Sequence, residues 1–531
     1  MSLSNPDRLM KTKYIILSLL TVLFVIPSCD KLLDIPRKGA IDYNTFYKND
    51  EEIQSAGITL YSDVRGWYYN VMLVKNILSD DFYSGGASRG DNAELDALDE
   101  FGFNSESTQI EGSFSGYYSL IYHANVILGH IDPEQSKAAA QAVAEAHLFR
   151  GWAYFELITL WGNPPIVDHE LAPSEYKQGN ASTEDLWALV EKDLTTAINS
   201  GALAQKTSLN DNTTWRATKQ FAQALLGKAY VWMAKELNNA EYYSKAADQF
   251  KLVVDSGLYD LWEGGPYGDQ RHQAYKMNCE SLFESIRVND TDNTMDNFDF
   301  YGAMVSWRSS GGEMTIPENV CGTGGWGFMV PTVELVNTFT EWEGADSYRR
   351  TESIKTYDEI KAMGVTVNKR ILSTGYFNWK GRFMTEDLTM YAMVNFKNPL
   401  WMRFAEVLLL GAEANLQAGN TNVAVNYINR VRARAQLPAL NGVTLKDIKT
   451  EKRLELCGEG QRFQDILRWG DAAELLKDAG KVYPAMESNG VVEWVSTGRS
   501  VYGFKVGKHE HLPYPYTEVM LNENVKQNPN Y

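Results

Sequence analysis

The stretch LWMRFAEVLLLGAEANLQAG, residues 400–419, followed almost at once by TNVAVNYINRVRARAQLP, residues 421–438, decides the fold. Each segment is long enough for several helical turns, and Gly419 stops the first before the second begins. Inside the first stands Gly411, in Gly411-Ala412-Glu413-Ala414, and inside the second Ala424 and Ile428 lie four apart. A glycine within a helix costs about 1 kcal/mol against alanine, so it needs a packing reason, namely the close approach of a second helix. The two segments therefore read as a packed helical pair.

The same pair recurs outward from it. TKQFAQALLGKAYVWMA (218–234) carries Gly227-Lys228-Ala229-Tyr230 and is followed by YYSKAADQFKLVVDSG (242–257), with Ala246 and Phe250 four apart. AEAHLFRGWAYFELITLWG (144–162) carries Gly151-Trp152-Ala153-Tyr154. Its Ala146, Phe149, Ala153, Leu157 and Leu160 fall at helical spacing, and Gly162, Pro164 and Pro165 end it. STEDLWALVEKDLTTAINSG (182–201) opens with Ser182 and Asp185 in capping-box spacing and ends at Gly201. Three such matches resemble the tetratricopeptide signature. The expected class is mainly α: a tetratricopeptide-like helical-repeat scaffold, mainly over 40–260 and 398–470, with little β. Residues 261–397 read as a loop-rich, partly irregular binding lobe, because 261–330 is dense in Gly, Asp, Asn and aromatics without helical period. Residues 471–531 form an irregular C-terminal segment, in which weak alternation from Val491 to Pro515, as in Gly503-Phe504-Lys505-Val506-Gly507, predicts a small hairpin.

Composition narrows the function. The chain has 531 residues, 44% hydrophobic and 22% charged, with a formal net charge of −18. So acidic a surface repels phosphate backbones, and no nucleic-acid partner is expected. Cys279, Cys321 and Cys457 are too sparse for a disulfide framework, and no His/Cys spacing suggests zinc. The 29 Tyr, 21 Phe and 14 Trp are the more informative feature. Tyr and Trp join an apolar face to a polar edge, and a surplus of them is available for binding surfaces.

At the N-terminus, KTKYIILSLLTVLFV (11–25) places two lysines before a short apolar run and leads into IPSCD (26–30). The layout is that of a signal peptide over 1–28, and the run is shorter than the roughly 20 residues a spanning helix needs. Ile26-Pro27-Ser28-Cys29 resembles the bacterial lipoprotein cleavage box, which implies that Cys29 is the lipid-attachment residue. The other reading is an ordinary secretory signal with Cys29 in a disulfide.

Four motifs bear on chemistry. Glu451, Glu455 and Glu459 recur every four residues, and like charges at that spacing repel by about 0.2–0.5 kcal/mol per pair unless cations neutralise them. Arg430, Arg432, Arg434, Arg462 and Arg468 are the nearest in sequence, and a structural ion network is expected rather than a general acid and base. Gly86-Ala87-Ser88-Arg89-Gly90 matches a nucleophile-elbow pattern but reads as a glycine-rich loop. Asp290, Asp292, Thr294 and Asp296 alternate like the start of a calcium loop, yet Met295 and Tyr301 stand where such a loop needs Gly and Glu. His509 and His511 flank Glu510 without a metal-ligand pattern. No metal, no cofactor and no catalytic residue is expected.

Several stretches together resemble the SusD/RagB family of Bacteroidota lipoproteins: residues 399–416, 427–438, 451–470 and the closing LPYPYTEVMLNENVKQNPNY. NILSDDFYSG (76–85), YYSLIYHANVIL (117–128) and Gly344-Ala345-Asp346 with Arg349-Arg350 extend the likeness over residues 29–531. The resemblance implies one SusD-like domain over 29–531, lipid-anchored and surface-exposed at the outer membrane. It also implies a non-catalytic protein that captures oligosaccharides or polysaccharides and delivers them to a TonB-dependent, SusC-like transporter. A peptide ligand in the same transporter system is the alternative, and an all-helical glycosidase a further one. In the family, loop aromatics hold the glycan. The matching regions here contain Trp67, Tyr68, Tyr69, Asp80, Asp81, Tyr83 and Arg89, then Trp262, Tyr267, Tyr301, Trp307 and Trp326. The expected ligand-binding set is Trp67, Asp80, Asp81, Tyr83, Arg89, Tyr301, Trp307 and Trp326.

Overall fold

The structure, a computed structural model, describes residues 46–288, 298–388 and 394–531. The chain divides into two units, Met1–Lys48 and Asn49–Tyr531, and the scaffold, the middle lobe and the C-terminal hairpin all belong to the second. Cys29, the signal segment and the 290–296 alternation lie outside the described residues.

Ten helices build the scaffold: α1 (Asp50–Ile77), α2 (Thr108–His130), α3 (Lys137–Trp161), α4 (Thr183–Asn199), α5 (Lys219–Glu236), α6 (Glu241–Asp255), α7 (Phe404–Gln417), α8 (Thr421–Arg434), α9 (Leu445–Glu455) and α10 (Arg462–Trp469). Their starts are set by short polar side chains: Ser182 accepts the Asp185 N–H at 3.1 Å, and Thr218 accepts the Phe221 N–H at 3.2 Å. From α2 to α8 each helix packs on the next, with α6 meeting α7 across the intervening lobe. That serial stacking is the packing of a helical repeat. The intrahelical glycines sit where it is tightest. A Cβ on Gly227 would lie 2.8 Å from the Phe250 ring, and one on Gly411 2.9 Å from the Tyr427 ring. The repeat glycines are thus contact points between the two helices of a pair, as their cost requires.

The carboxylates of the 451–459 segment are buried and neutralised, but by a wider set of cations than the neighbouring sequence suggests. Glu451 pairs with Arg349 at 2.6 Å and Arg432 at 2.9 Å. Glu455 pairs with Arg403 at 2.5 Å, Arg349 at 3.0 Å and Arg434. Helix α9 ends at Glu455, so the four-residue recurrence does not carry Glu459 onto the helix. It lies in the following turn, where it meets Lys380 at 2.7 Å and Arg403 at 2.8 Å. Of the five arginines named from sequence, Arg432 and Arg434 serve this cluster. Arg430 pairs with Asp260, Arg462 with Asp80, and Arg468 with Glu413 and Asp465. The missing partners Arg349, Lys380 and Arg403 come from the middle lobe and the start of α7, which the network ties to α8 and α9.

Strands are short and occur as five two-stranded antiparallel pairs among the described residues. The C-terminal hairpin lies earlier than predicted: Val482–Met486 pairs with Val492–Ser496. The Gly503–Gly507 alternation instead makes turns, because Phe504 is buried against Phe101 and a Cβ on Gly503 would lie 2.2 Å from the Lys477 carbonyl. Within 261–397 a second apolar core gathers Trp307, Met314, Ile360, Ile371, Phe377 and Met486. Met486 brings the hairpin into this core, and the main-chain pairing of Ile371 with Met486 holds it there.

Candidate functional site

Strand Phe82–Gly85 emerges after α1 and pairs antiparallel with Phe328–Pro331, with Tyr83 opposite Val330 and Gly85 opposite Phe328. This register joins the two regions singled out in the sequence. The Gly86 N–H donates to the Gly327 carbonyl at 2.9 Å, directly after Trp326. Arg308 closes the junction, donating to Asp91 at 3.1 Å and to the Trp326 carbonyl at 3.0 Å.

A third segment completes the face. Trp494, on the second strand of the hairpin, stands with its ring centroid 5.9 Å from that of Tyr83 and is 46% exposed. Trp494 shares a strand face with Val492 through the two-residue period of a strand. Val492 packs on the 307–377 core, so the hairpin is fixed from beneath while Trp494 reaches solvent. Arg370 pins the hairpin from outside, 2.8 Å from Glu487 and 2.9 Å from Glu493. The Arg89 guanidinium lies over the Tyr483 ring at 5.8 Å and pairs with Asp96 at 2.9 Å and with Glu100.

The eight expected site residues separate by environment. Tyr83, Arg89 and Trp326 are partly exposed; Tyr83 and Arg89 border the hairpin rings Trp494 and Tyr483, and Trp326 is placed by its carbonyl at the Arg308 junction. The other five pack or pair within the protein, as Arg89 does with Asp96 and Glu100, and of these five Asp80 also lines the cavity behind Tyr83. Trp67 is buried on α1 against Tyr117, at 4.1 Å between centroids, and Trp401, at 5.6 Å. Trp307 is 3% exposed and donates its indole N–H to the Asn378 carbonyl at 2.9 Å. Tyr301 is buried edge-to-face on Tyr68. Asp80 accepts from Arg462 at 2.7 and 2.9 Å and meets Arg453 at 3.0 Å, while Asp81 accepts from Arg453 at 2.7 Å. Burial opposes ionisation of Asp80, but Arg453 and Arg462 outweigh it and hold its pKa at about 2. The Asp80-Asp81 pair is a clasp from the loop after α1 to α9 and α10. Of the further aromatics, Trp262 and Tyr267 are also buried, with the Tyr267 hydroxyl donating to the Glu455 carbonyl at 2.7 Å.

Behind Tyr83 lies a cavity of about 230 Å³ walled by Tyr83, Asp99, Glu334 and the 474–479 turn. Asp99, last residue of the helix Ala93–Asp99, is 8% exposed and accepts the Ser84 N–H at 3.1 Å. Burial pushes its pKa up to about 7, and the neighbouring Asp96 adds to the rise. Ser88 is exposed in a loop that runs on to Ala93 before a helix begins, which is not the strand-turn-helix of a nucleophile elbow. His509 is packed among Phe101, Phe103 and Phe504, its Nδ1 accepting the Lys505 N–H at 2.9 Å.

Trp494 was not singled out from sequence. The available signal was its place in VVEWVS, where period-two alternation puts a large aromatic in register with an inward valine.

Two family models match the chain: "SusD family" over residues 361–531 and "Starch-binding associating with outer membrane" over residues 40–231. A SusD-like protein of Bacteroides ovatus is 24% identical over 492 residues, covering 87% of this chain and 83% of the relative. Among solved structures, a laminarin binding SusD-like protein matches with a TM-score of 0.75 at 27% identity, over 91% of this chain and all of its own. Surface glycan-binding protein A from Bacteroides thetaiotaomicron, in complex with laminarihexaose, matches with a TM-score of 0.70 at 22% identity over 91% of this chain, a likeness of fold.

Proposed function

The chain belongs to the SusD family, and on that premise we propose that it is a glycan-binding lipoprotein of the outer-membrane surface. It captures oligosaccharides without altering them and hands them to a TonB-dependent transporter. The observation that carries this reading is the exposed Trp494 ring beside Tyr83, on a hairpin anchored by the 307–377 core. A sugar ring packs its C–H face on an aromatic plane, and its hydroxyls take hydrogen bonds from charged forks such as Arg89. A face built in advance on a rigid scaffold loses little ordering entropy when ligand arrives. An open platform also suits delivery, because a ligand handed onward must be released.

The matched relative named for laminarin makes laminarin oligosaccharides the first ligands to test. Residues 30–531, which retain the whole compact unit from Asn49 onward, are titrated with laminarihexaose and a panel of other neutral oligosaccharides. Saturable binding without release of new reducing ends is the expected result. Reducing ends that accumulate with time would make the protein a glycosidase. Binding of peptides in place of every sugar would make it the peptide receptor of such a system. Anchoring is tested separately: Cys29→Ser should move the full chain from the membrane fraction to the soluble fraction.

A further inference from the structure

Most buried carboxylates of this unit have a cation at salt-bridge distance. Asp80 has Arg453 and Arg462, Asp193 has Arg150, Glu413 has Arg468, and Asp96 and Glu100 have Arg89. Asp99 does not: among the described residues it forms no ion pair, although it is only 8% exposed. A carboxyl out of water without a counter-ion is costly, and it is expected to be neutral or to meet a cation from elsewhere. Asp99 also differs in where it is buried. It forms part of the wall of the 230 Å³ cavity whose rim is Tyr83, and Glu334, itself in no ion pair among the described residues, faces the same space. Tyr83, Asp99 and Glu334 line one volume, and burial, then Glu334 and Asp99, raise the pKa of the Tyr83 hydroxyl. Of the other charged residues in the wall, Asp80 is held by Arg453 and Arg462, Lys477 pairs with Glu474 at 2.5 Å and Asp478 lies 3.5 Å from Lys481.

We propose that this cavity receives the ammonium group of an amino sugar unit, with Asp99 as its buried counter-ion and Glu334 as a second acceptor at the rim. The inference rests on the glycan-binding reading above and names the ligand class of that same face. The volume is below the roughly 300 Å³ at which drug-sized pockets begin, so it takes one sugar unit while the rest of the chain lies over Trp494. Tyr83 belongs to both places: its ring borders the Trp494 platform, and the residue also lines the cavity. A sugar is favoured over a lysine side chain because an aromatic plane adjoins the acidic cavity. The net charge of −18 further favours cationic over anionic polysaccharides at long range.

The test compares the glucosamine tetramer with the N-acetylglucosamine tetramer, in which acetylation removes the charge from each nitrogen, by calorimetry on residues 30–531 at pH 7. The expected result is tighter binding of the glucosamine tetramer by roughly tenfold or more, the order of one charge-assisted hydrogen bond. Asp99→Asn keeps the acceptor for Ser84 N–H and should abolish that preference. Glu334→Gln, at an exposed position, should reduce the preference and serves as the second variant should Asp99→Asn fold poorly. Equal affinity of the two tetramers, with laminarihexaose still bound, would overturn this inference and leave the glycan reading intact. A preference that survives both variants would overturn the cavity as its source. Failure of all three sugars would overturn both readings, and tetralysine binding as tightly as the glucosamine tetramer would make the ligand a peptide amine.

Discussion

Tyr83, from the strand that follows the first scaffold helix, and Trp494, from the C-terminal hairpin, hold their rings 5.9 Å apart at an interplanar angle of 59°. Neither position is near the other in sequence. The contact exists because Phe82–Gly85 pairs with Phe328–Pro331 and because Met486 and Val492 root the hairpin in the 307–377 core. Trp494→Ala removes the exposed half of the pair. Oligosaccharide affinity is expected to fall roughly tenfold, the scale of one aromatic contact. Calorimetric titration reads the affinity, and a thermal melt should shift by little because the ring is 46% exposed.

Trp307→Ala should behave in the opposite way. The side chain is 3% exposed and its indole nitrogen is hydrogen-bonded to Asn378. Truncating a large buried aromatic costs about 3–5 kcal/mol. Urea unfolding should show that loss, while the folded fraction binds sugar as the parent does.

The clasp of Asp80 on Arg453 and Arg462 gives a pH signature. The two guanidinium groups outweigh burial and bring the Asp80 pKa to about 2, below its ordinary 3.8. A depressed carboxyl stabilises the folded state above its unfolded pKa and loses that contribution as pH falls through the folded value. Asp80→Ala should destabilise by about 1–3 kcal/mol at pH 6, since it strips Arg462 of its carboxylate partner while Arg453 keeps Asp81. The gap between variant and parent in denaturant unfolding should narrow from pH 4 toward pH 2.

Asp99 has the reverse sign. Burial, then Asp96, lift its pKa from 3.8 to about 7, against the lowering by Ser84 and Arg89, with Tyr83 and Glu334 facing it across the cavity. A raised carboxyl stabilises the folded state below its unfolded pKa and loses that contribution as pH rises through the folded value. Asp99→Asn should therefore unfold later than the parent at pH 8, by about 1–4 kcal/mol. The difference should shrink below pH 7 and vanish near pH 4.

The scaffold was legible because its determinants are local and periodic. Gly227 and Gly411 stand out as exceptions to helix propensity, and the structure shows the Phe250 and Tyr427 rings that require them. The site was legible only by region. Trp67, Trp307 and Tyr301 look in sequence like Trp326, for whether an aromatic faces solvent depends on which distant segment packs over it. The counter-ions of Glu455 were half legible for the same reason: Arg434 lies close in sequence, whereas Arg349 and Arg403 arrive through tertiary packing. Trp494 went unmarked because its partner Tyr83 stands at the other end of the chain.

The most direct measurement is the titration of laminarihexaose and the glucosamine tetramer into residues 30–531 and into the Trp494→Ala variant, with reducing ends monitored in the same samples. A saturable isotherm is expected for at least one of the two sugars, weakened roughly tenfold by the variant and with no new reducing ends. Binding that is indifferent to Trp494, or heat that continues as reducing ends accumulate, would contradict it.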